Sequence, residues 1–210
     1  MTVSKKILSE FSGYPAFSYR DVYTYFNSAP GKRANLTRML SHLKSSGKIF
    51  TVAKGVYTTH RNDVVCGFAF KPFYYGLLYS LTIRELWSQN ARPDIVTLRN
   101  VRSSKISIFD DKEDTISIHH SPVKYFFGFD MLDYGGLKVP VSDPEKTLID
   151  LFYYKIRLPI QEYSGLLKTV NRNKIGEYLR TYDKHTKTAV TNFLNRYKTE
   201  ADKGKLESKY

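Results

Sequence analysis

Between Phe17 and Thr59 the hydrophobic period changes twice, and each change falls at a residue suited to end one element and begin another. Ser18 is a good N-cap acceptor with Asp21 three residues on, so a helix over 19–27 can begin there with favourable negative charge in its first turn. The run from Asn27 to Gly31 breaks it. Leu36, Met39, Leu40 and Leu43 then recur at helical spacing and predict a second helix over 32–46 with one narrow apolar stripe. Gly47 ends it, because glycine tolerates the left-handed backbone of a helix C-terminus. Ile49, Val52, Val56 and Tyr57 read as two short strands with Lys54-Gly55 as the tight turn between them. Helix, turn, helix and a two-stranded wing is an order of elements by which small proteins enter a DNA groove.

At about 100° per residue, the face opposite that stripe carries Ala34, Thr37, Arg38, Ser41 and Ser45, flanked by Asn35, His42 and Lys44. None of these is acidic. Small hydrogen-bonding side chains around an Arg suit base edges in a major groove, where carboxylates would be repelled by phosphate. Asn35, Thr37, Arg38 and Ser41 are therefore the candidates for base contacts, and Lys32, Arg33, Lys44, Lys48 and Lys54 for phosphate contacts. Two blander readings stand beside this one: a polar helix face that is merely solvated, and a winged helix that binds only protein.

Charge bears on that choice. The chain is net +13, and the excess is segregated: residues 1–66 hold 10 basic and 3 acidic side chains, 67–156 hold 11 and 11, and 157–210 hold 12 and 6. Segregated positive charge is the footprint of a polyanion partner, with nucleic acid ahead of a membrane surface. No run approaches the roughly 20 apolar residues that span a bilayer. Cys66 is the single cysteine, which excludes an intramolecular disulfide and any cysteine-based zinc site and fits a reducing cytosol. The first thirteen residues read as an amphipathic helix rather than a signal peptide, so a cytoplasmic location is expected. The 17 Tyr and 13 Phe are expected mainly in cores, with Tyr125 to Phe129 the one weak candidate for a stacking platform.

After a polar boundary at His60 to Asp63, Val64–Phe70 reads as a strand and Tyr74–Trp87 as a helix. Further strands are predicted at Ile95–Leu98, Lys105–Phe109, Thr115–His119 and Val123–Phe129, with Asp110–Asp114 as a charged hairpin turn, and Lys138–Val141 leads into the next helix. Ser142-Asp143-Pro144-Glu145 caps a helix that continues through Leu148, Ile149, Leu151 and Phe152. From Leu158 the chain is helical by pattern. The expected fold class is α+β: a winged helix-turn-helix over 1–62, a mixed domain over 63–156, and a basic helical extension of that domain over 157–210.

One constellation suits an enzyme. Pro93-Asp94 followed by Asp110-x-Lys112 matches the loose pattern of metal-dependent nucleases, in which two carboxylates hold Mg2+ and a Lys steadies the attacking water. The pattern needs a rigid strand under Asp110 and Lys112, whereas this stretch reads as an exposed turn. His119 and His120 on a strand face opposite ways and cannot ligate together. Glu145 and Lys146 likewise point apart on a helix, so a structural role at the helix start is expected for them rather than acid/base work with Asp150. No catalytic residue, metal site or cofactor is assigned, and the nuclease stays as the alternative to DNA binding.

Leu36-Thr37-Arg38-Met39-Leu40, Gly47-Lys48-Ile49 and Lys54-Gly55-Val56-Tyr57 resemble the N-terminal winged helix of the AbiEi abortive-infection antitoxins. The run Val141-Ser142-Asp143-Pro144-Glu145-Lys146-Thr147-Leu148-Ile149-Asp150-Leu151 resembles the segment that opens a helix in the same family's second domain. Leu86-Trp87 departs from the Gly-Leu pair expected before the strand at Ile95. The resemblance covers roughly residues 5–155 and implies a transcriptional repressor of its own operon, the antitoxin of a type IV toxin-antitoxin system. Its implied partners are double-stranded DNA from its own promoter and a nucleotidyltransferase-like toxin with which no stable complex is required; a homodimer on the DNA is an option the sequence leaves open.

Overall fold

The structure, a computed structural model, describes residues 3–26, 33–101, 105–109 and 111–207, without the side chains of 33, 34, 112–114 and 198–207. It is mixed α+β with two separate sheets.

The N-terminal unit runs α1 (Val3–Phe11), β1 (Phe17–Ser18), α2 (Tyr19–Tyr25), α3 (Arg33–Ser45), β2 (Phe50–Ala53) and β3 (Val56–Thr58). Ser18 caps α2 reciprocally with Asp21: the Asp21 amide donates to the Ser18 hydroxyl at 3.1 Å, and the Ser18 amide donates to the Asp21 carboxylate at 2.6 Å. Gly47 adopts a φ of +65° after α3, and Gly55 one of +75° at the hairpin tip, both in the region that favours glycine. The strands pair antiparallel in the order β1-β3-β2. The strand β1 has no counterpart in the sequence reading; two residues are too few to show a period. Ile7, Phe17, Val22, Leu36, Leu40, Leu43 and Ile49 form a core of their own beneath α3.

The second sheet comprises β4 (Phe73–Tyr75), β5 (Asp94–Thr97), β6 (Lys105–Ile108), β7 (Asp111–His120), β8 (Phe129–Tyr134) and β9 (Leu137–Ser142), in the order β6-β7-β5-β4-β9-β8. The β5–β7 and β4–β9 pairs are parallel and the other three antiparallel. Its helices are α4 (Leu77–Ile83), α5 (Pro144–Tyr153), α6 (Ser164–Thr169), α7 (Arg172–Leu179) and α8 (Lys184–Glu207).

Successive residues of the central strand β4 face opposite layers. Tyr75 enters the layer roofed by residues 63–70, where its hydroxyl donates to the Val64 carbonyl at 2.6 Å and accepts from the Gly67 amide at 2.9 Å. Tyr74 enters the layer of α5, where its hydroxyl donates to Asp150 at 2.7 Å. The helices beyond residue 157 share a core with α4 and α5: Leu77, Leu81, Leu148, Leu151, Leu166, Ile175 and Val190 belong to one buried cluster.

Three sequence expectations are corrected. Residues 63–70 form a 3-10 helix rather than a strand; Asn62 caps it through the Val64 amide, and a Cβ on Gly67 would stand 2.1 Å from the Phe73 ring. A short apolar run does not reveal its period when, as here, six of its eight residues are buried. The predicted helix from Tyr74 begins only at Leu77, since Phe73–Tyr75 pairs with β5 and β9. Val123–Tyr125 is likewise a 3-10 turn, and the strand starts at Phe129 after Gly128, whose φ is +73°.

The two units are joined through the hairpin. Val52 is fully buried in the second unit's core with Val64, Val65 and Ile95, and the Phe109 amide donates to the Thr51 carbonyl at 2.7 Å.

Candidate nucleic-acid interface and the buried charge cluster

On α3 the apolar stripe faces inward as its spacing predicts, with Leu36, Leu40 and Leu43 buried. Asn35, Thr37, Arg38, Ser41, His42, Lys44 and Ser45 are all exposed. Arg38, Ser41 and Ser45 form the outermost ridge, while Asn35 and Thr37 fall on opposite flanks of it. Of the four candidates for base contacts, the structure therefore groups Arg38 and Ser41 most closely. The Ser45 hydroxyl donates back to the His42 carbonyl at 3.0 Å.

Lys48 and Lys54 are exposed at the two ends of β2. The carbonyl of Gly55 at the hairpin tip accepts from the Tyr19 amide at 2.9 Å, which fixes the tip against the start of α2. Lys32 lies outside the described residues, and Arg33 opens α3 with its side chain undescribed.

The motif from Ser142 to Asp150 occupies the other end of the molecule's charge economy. Asp143 caps α5 by accepting from the Lys146 amide at 2.7 Å, and Pro144 fills the first turn, where no amide donor is needed. Thr147 Oγ1 stands 2.7 Å from Ser142 Oγ and 2.9 Å from Ser80 Oγ, tying β9, α4 and α5 together. Lys146 and Asp150 lie one turn apart and form an ion pair with side chains only 1% exposed. Lys146 also donates to the Tyr182 hydroxyl at 2.5 Å and lies within 5.5 Å of the ring centroids of Tyr74, Phe127 and Tyr182. Tyr74 and Tyr182 donate to the two carboxylate oxygens of Asp150.

Burial pushes the Lys146 ammonium below its usual range and the Asp150 carboxyl above its own, while their contact opposes both shifts. Glu145 turns the other way, 3.1 Å from Lys174 and accepting from the Asn171 amide at 2.6 Å. Partial burial acts against the Lys174 ammonium, but its bonds to Asp143 and Glu145 outweigh that and raise its pKa. These charges are consumed in holding α5 to β4, α7 and the start of α8. The sequence reading separated Glu145 from Lys146 but missed the Tyr74–Lys146–Asp150–Tyr182 network, because only the i, i+4 spacing of Lys146 and Asp150 was visible locally.

For the nuclease constellation, Asp94 sits on β5 with its carboxylate 3.1 Å from His119 Nε2 on the parallel neighbour β7. Asp110 lies outside the described residues, as does the side chain of Lys112. The backbone from Asp111 is strand rather than the predicted turn, since Ile108 already pairs with Asp111. Among the described residues no group of three His, Cys, Asp or Glu side chains is placed to hold a metal ion, and no helix is long and apolar enough to cross a membrane. The rings of Tyr125 to Phe129 are spent on internal packing: Tyr125 stacks on Tyr182 at 4.3 Å, and Phe129 on Tyr74 at 5.1 Å. The chain matches no protein-family model and no curated protein.

Proposed function

We propose that the N-terminal unit is a winged helix-turn-helix and that the protein is a sequence-specific transcriptional repressor binding double-stranded DNA. The observation that carries this reading is α3: its stripe of leucines is buried and its outer ridge of Arg38 and Ser41 is exposed without an acidic residue. Lys54 at the hairpin tip, in a turn tied to the start of α2 through Gly55, adds a phosphate contact. Direct readout falls to Arg38, Asn35, Thr37 and Ser41, and backbone positioning to Lys32, Arg33, Lys44, Lys48 and Lys54.

The resemblance to the AbiEi antitoxins adds the biological half of the proposal: autoregulation of a toxin-antitoxin operon and neutralisation of a nucleotidyltransferase-like toxin in the cytoplasm. The test is affinity for duplex from the protein's own promoter region against random duplex. If roughly 6 phosphates are neutralised, log K falls with log salt at a slope near −5. Affinity indifferent to salt, or equal for both duplexes, would refute the DNA reading. Co-expression with the adjacent gene tests the antitoxin half separately, by rescue of growth.

A further inference from the structure

A cavity of about 580 Å3 lies between the β2–β3 hairpin of the N-terminal unit and the second sheet. Phe70 and Ile118, both buried, form its floor, and the half-buried Ala53, Val56, Val101 and Ile106 give it apolar walls drawn from both units. Two exposed cations line it, Lys54 from the hairpin tip and Arg99 from the segment after β5, with Asn100 and Ser107 as uncharged donors. Among the described residues no Asp or Glu lines it.

The cationic side is set in place by the fold. The Arg99 amide donates to Thr97 Oγ1 at 3.1 Å, and the Thr97 hydroxyl donates in turn to the Phe70 carbonyl at 2.6 Å. Arg99 Nη1 donates to the Ala69 carbonyl at 2.7 Å. That bond orients the guanidinium without neutralising it, because a peptide carbonyl carries no net charge and occupies one of five N–H donors. Neither Arg99 nor Lys54 forms an ion pair with another described residue. The hairpin wall is held as well, through the bond from the Phe109 amide to the Thr51 carbonyl.

We propose that this cavity binds a small amphipathic organic acid, its carboxylate on Arg99 in the field of Lys54 and its apolar body over Phe70, Ile106 and Ile118. The lining selects that class. A guanidinium with open donors pairs a carboxylate through two parallel bonds, which fixes the head. A sugar would leave its hydroxyls against the apolar floor and walls without partners. A nucleobase needs an open ring face, and Phe70, the one aromatic lining the cavity among the described residues, is only 6% exposed. The volume falls in the range of small-molecule sites, which favour seams between structural units. Lys54 is also a phosphate contact in the DNA reading, so the bound acid competes with the duplex for it; this second half of the proposal rests on that reading.

The site is tested without DNA, by calorimetric titration of the full-length protein with octanoate, butyrate, octan-1-ol and inorganic phosphate. Octanoate should bind one to one and about tenfold or more tightly than the other three, since it alone carries both the charged head and the apolar body. Arg99→Gln should weaken octanoate about tenfold or more, and Ala53→Trp, which fills the cavity without altering charge, should abolish its binding. Thermal midpoints show that each variant is folded. No binding of octanoate, equal binding of octanoate and octan-1-ol, or binding unchanged in both variants would overturn the site, and phosphate binding as tightly as octanoate would make it a site for a free anion instead. Titration of promoter duplex at saturating octanoate then tests the competition: the salt slope should fall by about 1 for wild type and stay unchanged for Arg99→Gln. A slope that bound octanoate does not move would overturn the competition. Absence of duplex binding altogether would overturn the DNA reading and the competition with it, while the calorimetry still decides the site.

Discussion

Two helices of this chain carry their polar side chains in opposite ways. On α3 the leucines are inside and Asn35, Arg38, Ser41 and Lys44 face water. On α5 the run from Glu145 to Leu151 is buried throughout, including Lys146 and Asp150. An exposed Arg keeps its hydration until a partner arrives, so it is available for recognition. A buried Lys has already exchanged water for a carboxylate, a phenol and three rings, so it holds the fold instead. Charge on a helix therefore indicates function only when the geometry leaves it accessible.

Removing one member of the α5 pair should produce the largest effect. Asp150→Ala leaves the Lys146 charge buried without its carboxylate and should cost about 3–5 kcal/mol in urea unfolding. The double variant Lys146→Met/Asp150→Leu should recover most of that loss, because well-packed apolar residues replace a buried pair with little penalty. Arg38→Ala on α3 should change stability by no more than about 0.5 kcal/mol. A double variant no more stable than Asp150→Ala would mean that the pair is not the coupled unit described here.

Alkali probes the same contrast. Burial, and then the Asp143 carboxylate beside it, pushes the Tyr178 hydroxyl up to about 12, and burial raises Tyr74 and Tyr182 well above the usual tyrosine value. A raised pKa means that the folded state favours the neutral phenol. The stabilisation is therefore complete below about pH 10 and is lost as the pH rises through the folded-state values. The Tyr178 phenolate should form only above the usual tyrosine range, and those of Tyr74 and Tyr182 only on unfolding, as followed by phenolate absorbance. A single phase near pH 10 with the fold intact would contradict the closed network.

How much of this was legible in the chain follows from how local each determinant is. The cap at Ser18 and Asp21, the stripe of α3, Gly47, Gly55 and the Asp143-Pro144 start of α5 all act within a few residues, and each was readable. The 3-10 helix at 63–70 was not, because a short apolar run that is mostly buried shows no period. The pairing of β1 with β3 and the convergence of Tyr74 and Tyr182 on Asp150 join residues 40, 76 and 32 positions apart, counting Phe17 to Tyr57, and no window along the sequence spans them. The α3 face was visible as chemistry because its exposure follows from helical spacing alone.

On DNA the ranking should invert. Arg38→Ala should cost about 1–3 kcal/mol at the specific site and relax preference at one base pair, while Asp150→Asn, measured where it is still folded, should leave affinity unchanged. Equal losses from both would mean that α5 and α3 act on DNA as one unit.

The smallest effect separates the helix from the hairpin tip. Lys54 stands at the turn between β2 and β3, and the Tyr19 amide holds that turn through the Gly55 carbonyl at the start of α2, so the DNA reading assigns its ammonium to phosphate rather than to base edges. Lys54→Ala should therefore weaken every duplex alike and reduce the salt slope by about 1, with the specificity ratio intact. The reverse result, a loss of preference from Lys54→Ala and a uniform loss from Arg38→Ala, would place the hairpin rather than α3 in the groove. Because Val52 of the same hairpin is fully buried in the second unit's core, that outcome would also make the second unit part of the reading head.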